Sequence, residues 1–208
     1  EEAIKYYKMA IDKGDSRSMF NYAYMLEEGE GIPVNYEEAI KYYSMAIQNG
    51  SIKALTKVAG MLCSGKGFPV DYEKAIQFYQ IAISKGDTEA MVNYSYMLQT
   101  GEGVPVNYEE AIKYNKMAID RGNIVAMNNY AYMLENGNGV PINYEEAIKY
   151  YKTAIEGGSA ASMFHYAEML QKGKGVDVNI EEAIKYYRLA ADQGEERAKE
   201  ALSSLLCE

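Results

Sequence analysis

The chain has 208 residues, of which 48% are hydrophobic and 25% are charged, a balance typical of an ordered globular protein. Its formal net charge of -9 repels a phosphate backbone, and no run of Lys and Arg reverses that charge locally, so we expect no nucleic-acid partner. No apolar run approaches the ~20 residues that a membrane-spanning helix needs, and we therefore expect no membrane insertion.

The sequence begins within a repeat, without an initiator Met or a signal-like segment, so we expect it to be part of a longer protein. Cys63 and Cys207 are too far apart in an elongated array to form a disulfide bond, which favours a reducing compartment. We expect a cytoplasmic location.

One segment, Glu-Glu-Ala-Ile-Lys, recurs along the whole chain. It begins at Glu1, Glu37, Glu109, Glu145 and Glu181, and a divergent copy begins at Glu73, so the period is 36 residues. Repeats of this length stack side by side and bury their apolar faces against their neighbours. The pattern therefore predicts an all-α repeat protein in which each copy lies on the second helix of a hairpin.

The first helix of each hairpin lies between two copies of that segment. Glycines such as Gly50 are expected to end the second helices with a positive φ, and Asn35 and its counterparts are expected to cap the starts of the second helices. Asp15 and its counterparts can cap the first helices. We predict first helices at residues 16–28, 52–64, 88–100, 124–136, 160–172 and 196 to about 207.

Apolar residues recur on one face of each helix. Met19, Tyr22 and Leu26 follow the spacing of a buried face in the first helix, as Ala39 and Tyr43 do in the second. All twelve methionines fall at three repeat positions, represented by Met9, Met19 and Met25, and we expect them in the core. Glu37 and Lys41, four residues apart, indicate a solvated outer face.

The stretch from Ser16 to Gly50 contains a small residue at Ser18, a Tyr-Ala pair, a Gly-x-Gly-Ile turn, Tyr-Glu-Glu-Ala, a Tyr-Tyr pair and a final Ala-Ile-x-x-Gly. In these motifs, which recur in five full units, the chain resembles the Sel1-like repeat family. The resemblance implies a right-handed α-solenoid of antiparallel helix hairpins. It also implies a scaffold or adaptor that gathers proteins into complexes, without chemistry or cofactors of its own.

We expect a single repeat domain over residues 1–208. It comprises a lone helix at 1–14, units at about 16–50, 52–86, 88–122, 124–158 and 160–194, and a capping helix at 196–207. Lys199 and Glu200 make that last helix polar, as a cap requires. The first helix of the chain has no such cap, and we expect its uncovered face to pack either on preceding repeat units or on another copy of the chain.

Positions on the first helices that the core does not use form a second stripe, which lines the concave face of a helical-hairpin solenoid. Its Asn, Tyr and Phe residues are the side chains expected of a groove for an extended peptide. The alternative is a set of exposed residues multiplied by duplication. The predicted partner-binding residues are Arg17, Phe20, Asn21, Tyr24, Lys53, Thr56, Lys57, Gly60, Glu89, Val92, Asn93, Tyr96, Asn128, Asn129, Tyr132, Phe164 and His165.

The second unit departs most from the others. Gly60 removes the ring found at Tyr24 and Tyr96, and Lys53 and Lys57 precede it on the same face. We predict a notch with local positive charge that receives an acidic side chain or a carboxylate of a partner. A decayed repeat is the alternative.

Nothing in the sequence indicates catalysis. His165, the single His, stands where other units have Asn or Lys, which favours a surface position over a general base. One His and two distant Cys residues do not form a zinc site, so we expect no metal and no cofactor.

The sequence therefore predicts a non-enzymatic scaffold that binds an extended peptide or a partner helix. One alternative is a structural or regulatory arm of a larger protein with a catalytic domain, such as a kinase, outside this chain. A carbohydrate or cell-wall module is a third reading, which the lack of Trp disfavours.

Overall fold

The computed structural model describes the backbone of residues 2–206 and the side chains of residues 2–205. This part of the chain forms twelve α-helices and no strand. The five complete first helices begin and end at the predicted residues, and Cys207, the predicted end of the last helix, lies outside the described residues. The helices are α1 Glu2–Ile11, α2 Ser16–Glu28, α3 Tyr36–Gln48, α4 Ile52–Ser64, α5 Tyr72–Ser84, α6 Thr88–Thr100, α7 Tyr108–Ile119, α8 Ile124–Asn136, α9 Tyr144–Glu156, α10 Ala160–Lys172, α11 Ile180–Asp192 and α12 Glu196–Leu206.

The chain divides after Val106 into two compact units. In unit 1, α2 packs against α3 and α4 packs against α5 as antiparallel hairpins, while α1 covers α2 and α6 packs on α5. In unit 2, α8 packs against α9 and α10 against α11, with α7 on α8 and α12 on α11. Each unit is therefore built from the same hairpin.

The predicted helix caps are confirmed. Asn35 Oδ1 accepts a hydrogen bond from the backbone N–H of Glu38 at 3.1 Å, and Asp15 Oδ2 accepts one from Ser18 at 2.8 Å. Gly50 follows α3 with a φ of 82°, a left-handed conformation that an L side chain rarely adopts. These local signals fix where each helix begins and ends.

The second glycine of the Gly-x-Gly turn has a packing role that the sequence did not indicate. A Cβ on Gly103 would lie 2.3 Å from the Tyr72 ring, which belongs to the second helix of the preceding hairpin. Gly67, Gly139 and Gly175 meet Tyr36, Tyr108 and Tyr144 in the same way. The turn therefore lets successive hairpins approach closely.

Alanines and tyrosines form most of the core. Ala39, Tyr43 and Ala46 of α3 are fully buried, whereas Glu37 and Lys41 are exposed, as predicted. The prediction that all methionines are core is wrong for the position of Met9, whose side chain is 50% exposed. That position lies at the edge of the second-helix face, and Met45 and Met117 are likewise only half-buried.

Candidate partner-binding face

The predicted binding residues lie on α2, α4 and α6 in unit 1 and on α8 and α10 in unit 2. Because the repeat is regular, each first helix has one residue at each of four equivalent positions. In α2 these are Arg17, Phe20, Asn21 and Tyr24, in that order. Arg17, Lys53 and Glu89 occupy the first of these positions and are all exposed. The start of each first helix in unit 1 is thus open to solvent.

The second position, which begins with Phe20, is largely an inter-repeat contact, so its prediction as an open surface is wrong in three cases. Thr56 is 2% exposed because its Oγ1 donates a hydrogen bond to Asp87 Oδ1 at 3.0 Å in the cap of α6. Val92 is 7% exposed, and Phe164 is 8% exposed, covered by the Arg197 guanidinium 4.5 Å from its ring centroid.

Two members of that position keep some exposure. The Phe20 ring lies against Tyr43, with centroids 5.5 Å apart, and Asn128 Oδ1 accepts a hydrogen bond from Ser162 Oγ at 2.8 Å. Both side chains are half-buried. Phe20 is therefore the most accessible aromatic ring of the second position.

The third position carries Asn21, Asn93 and Asn129, which are half-buried, and the Asn93 side chain is hydrogen-bonded to Tyr79. His165, predicted at a variable surface position, is instead buried at 8% exposure. Its ring stacks on Tyr151, with centroids 5.6 Å apart, and also meets Tyr132. The neighbouring rings fill the space that an Asn leaves open elsewhere.

At the fourth position, two tyrosines of the predicted row are exposed. Tyr96 is 55% exposed and Tyr132 is 42% exposed. Tyr24 is half-buried, and Lys57 Nζ lies 5.1 Å from the centroid of its ring. Exposed aromatic rings beside amides are typical of protein-binding surfaces.

Gly60 does leave a notch, a cavity of about 260 Å³ lined by Lys57, Lys66 and Asn93 among others. An added Cβ would meet, of the described atoms, Tyr79 Oη at 3.6 Å, which is an ordinary contact. Packing therefore does not require glycine here.

The predicted positive charge of the notch is wrong, because Lys57 is already paired. Its Nζ lies 3.1 Å from Glu27 Oε1 and 3.5 Å from Glu28 Oε1. Burial alone would lower the pKa of Lys57, but the contacts with Glu27 and Glu28 outweigh burial and raise it. An incoming carboxylate would have to compete with this ion pair.

Glu27 itself is a functional candidate that the sequence analysis missed. It is 3% exposed, and its Oε2 accepts a hydrogen bond from the buried Tyr43 hydroxyl at 2.8 Å. Burial and this bond raise the pKa of Tyr43. The sequence signal for such a pair is a polar residue 16 positions before a core tyrosine. The same spacing recurs in unit 2, where the Tyr151 hydroxyl donates a hydrogen bond to Glu135 Oε2 at 3.0 Å.

In unit 2 the corresponding site is filled. Lys174 Nζ lies 2.7 Å from Glu135 Oε1, and this contact raises the pKa of Lys174. Glu168 stands where unit 1 has Gly60, and the contacts from His165 and Lys172 lower the pKa of Glu168 to about 2. Lys172 is 2.6 Å away and His165 Nδ1 is 3.6 Å away.

Unit 1 also contains two adjoining open recesses. One, of about 440 Å³, is lined by Ser16, Arg17, Phe20, Asn21, Ser51 and Lys53, and we call it the basic recess. The second, of about 490 Å³, shares Phe20, Asn21 and Lys53 and extends to Tyr24, Lys57 and Glu89. Together they form a continuous surface along α2, α4 and α6.

The Sel1 repeat family model matches six consecutive segments, residues 1–15, 16–51, 52–87, 88–123, 124–159 and 160–195. The chain belongs to the Sel1 repeat family. Sel1 repeats are typically non-catalytic scaffolds that bind proteins. The sequence matches no protein of curated function.

Solved Sel1 structures confirm the expected solenoid class. A Sel1 repeat protein from Oxalobacter formigenes is 27% identical with a TM-score of 0.84, over 94% of this chain and 80% of that one. A protective antigen of uropathogenic Escherichia coli with the same fold is 24% identical with a TM-score of 0.75, over 99% of this chain and 44% of that one.

An immunity protein from Pseudomonas aeruginosa is 22% identical with a TM-score of 0.68, over 88% of this chain and 66% of that one. The likenesses to the antigen and the immunity protein show the fold alone.

No helix within residues 2–206 has the length and apolar character needed to cross a membrane. Among the described side chains, no group of three or more His, Cys, Asp or Glu residues is placed to hold a metal ion.

Proposed function

We propose that this Sel1 repeat protein is a non-enzymatic scaffold that binds an extended peptide or a partner helix on the first helices of unit 1. The observation that carries the proposal is the pair of adjoining recesses along α2, α4 and α6. They combine a half-buried aromatic ring, Phe20, with the Asn21 amide and the exposed cation of Lys53. Rings, amides and charges in one concavity are the composition of a protein-binding surface.

Each unit also carries an exposed tyrosine on one of its first helices. Tyr96 offers a large ring at small entropic cost on α6, and Tyr132 does so on α8. In unit 2 the buried His165 and Phe164 leave less open surface. We therefore expect unit 1 to contribute most of the binding energy.

The proposal is tested by affinity capture with mass spectrometry. The face variant combines Tyr24→Ala, Tyr96→Ala and Tyr132→Ala. The control variant combines Tyr6→Ala, Ile81→Ala and Leu189→Ala, which remove comparably exposed apolar side chains from the second helices. We expect wild type and control to capture the same proteins and the face variant to lose them.

Circular dichroism shows whether both variants keep the helical fold. If the folded face variant captures the same proteins as wild type, the first helices are not the binding surface. The chain would then be better described as a structural or regulatory arm of a larger protein.

A further inference from the structure

The basic recess contains two cations that form no close ion pair with a described carboxylate. Arg17 and Lys53 make no ion pair within 4 Å with any residue that the structure describes, although the chain carries a net charge of -9. The Asp15 carboxylate, close in sequence to Arg17, accepts the Ser18 N–H as the cap of α2, and its pKa is lowered mainly by Ser18 and less by the charge of Arg17. By contrast, Lys57 is occupied by Glu27.

The other lining residues suit a short acidic segment. Ser16, Asn21 and Ser51 supply hydroxyl and amide groups, and Phe20 supplies an apolar wall. Tyr24 continues that wall into the second recess. A ligand with negative charge beside an apolar side chain would match both the charge and the polarity of this concavity.

We propose that the basic recess binds a segment of a partner protein in which two acidic side chains flank an apolar or aromatic residue. Arg17 and Lys53 bind the two carboxylates, and Phe20 packs against the residue between them. The proposal rests on the proposed function and names the chemistry of its partner.

The surroundings of the recess select a short acidic segment over a long polyanion. Glu89 lines the second recess, and Glu27 and Glu28 lie beside Lys57. These carboxylates and the net charge of -9 repel extended phosphate chains, whereas they leave local contacts at Arg17 and Lys53 intact.

The test measures binding of a fluorescent peptide with the central sequence Asp-Tyr-Asp, and of the same peptide with Asn-Tyr-Asn. We expect the acidic peptide to bind and the amide peptide to bind at least about tenfold more weakly. Arg17→Glu combined with Lys53→Glu should weaken the acidic peptide by about tenfold or more. Lys5→Glu with Lys41→Glu, two exposed lysines on the second helices, is the charge-matched control and should leave binding unchanged.

Glu89→Gln is expected to increase the affinity for the acidic peptide, a change that misfolding of the variant would not produce. It removes a negative charge from the wall next to Lys53, and we expect about twofold tighter binding of the acidic peptide at low salt. Raising the salt concentration should reduce that gain.

Each remaining outcome has a distinct meaning. Equal binding of both peptides, or equal loss in the control variant, overturns the assignment of the recess. Tighter binding of an RNA oligonucleotide with the same dependence on Arg17 and Lys53 would also overturn it. If neither peptide binds while the tyrosine variant still loses captured proteins, the acidic assignment is wrong and the proposed function stands.

Discussion

Glu27 in unit 1 and Glu135 in unit 2 occupy the same repeat position, yet their surroundings differ. Each buried carboxylate accepts a hydrogen bond from a core tyrosine, Tyr43 or Tyr151. Around Glu27, Gly60 leaves a notch and Lys57 supplies the cation. Around Glu135, Lys174 of the following loop supplies the cation, and the stacked rings of His165 and Tyr151 take up the space that stays open beside Gly60.

This difference shows how a regular framework acquires a local binding surface. The hairpins, caps and core alanines are the same in both units, and substitutions at a few first-helix positions decide whether the surface is open or filled. In unit 1, recesses stay open beside Phe20, Asn21 and Lys53. In unit 2, Tyr132 and Phe164 pack on the buried His165 ring, which replaces the Asn found at the equivalent position of α2.

The largest expected difference in stability is between variants of Lys174 and of Lys57. Lys174→Ala removes the cation from the buried Glu135, and we expect it to lower the free energy of unfolding by about 1–3 kcal/mol. Lys57→Ala should cost less than half as much, because Lys66 lines the same cavity as Glu27 and can replace the lost cation.

Urea denaturation of both single variants measures the difference. The double variant Lys57→Ala/Lys66→Ala should lose more than the sum of its single variants. Equal losses for Lys57→Ala and Lys174→Ala would show that Lys66 does not compensate.

A smaller effect on stability is expected at Glu168, whose repeat position is occupied by Gly60 in unit 1. The pKa of Glu168 is about 2 in the folded protein, against an ordinary value of 4.5. The ionised group therefore stabilises the fold above about pH 4.5, and this contribution is lost as the pH falls towards 2. Glu168→Gln should lower stability by about 1 kcal/mol at pH 7 and change it little near pH 2.

Denaturation curves across this pH range provide the measurement, with Glu37→Gln on the exposed outer face as the charge-matched control. A difference between wild type and Glu168→Gln that stays constant down to pH 2 would contradict the assigned ion pairs.

The smallest effect is a gain of stability at the notch. Gly60 lies inside α4 without a positive φ, and its added Cβ would meet ordinary contacts, so Gly60→Ala should stabilise the protein by about 0.5–1 kcal/mol. Gly103→Ala is the matched control and should destabilise it, because Gly103 has a φ of 70° and no space for a Cβ.

Thermal unfolding of the two variants compares them directly. A loss of stability in Gly60→Ala would mean that the notch requires glycine for packing.

The sequence predicted where the helices begin and end, but it did not predict the polar contacts between helices. Helix ends depend on adjacent residues, such as Asn35 and Gly50, so their signals are local. The burial of Glu27 depends on Tyr43 and Lys57, which lie in other helices. Thr56 and Phe164 were predicted as surface residues because the helix they occupy does not reveal which neighbouring residues cover them.

The same limit applies to charge. No run of Lys and Arg appears in the sequence, but the fold brings Arg17 and Lys53 into one recess. Their lack of ion pairs with the described residues is visible only once the acidic side chains of neighbouring helices are placed.

Site-specific photo-crosslinking tests the central claim most directly. A photoreactive phenylalanine analogue placed at Tyr24 or Tyr96 samples the first helices of unit 1, and one placed at Tyr6 or Ile81 samples the second helices. We predict adducts with a partner protein from positions 24 and 96 and none from positions 6 and 81. Adducts from positions 6 or 81, with none from 24 and 96, would contradict a binding surface on the first helices.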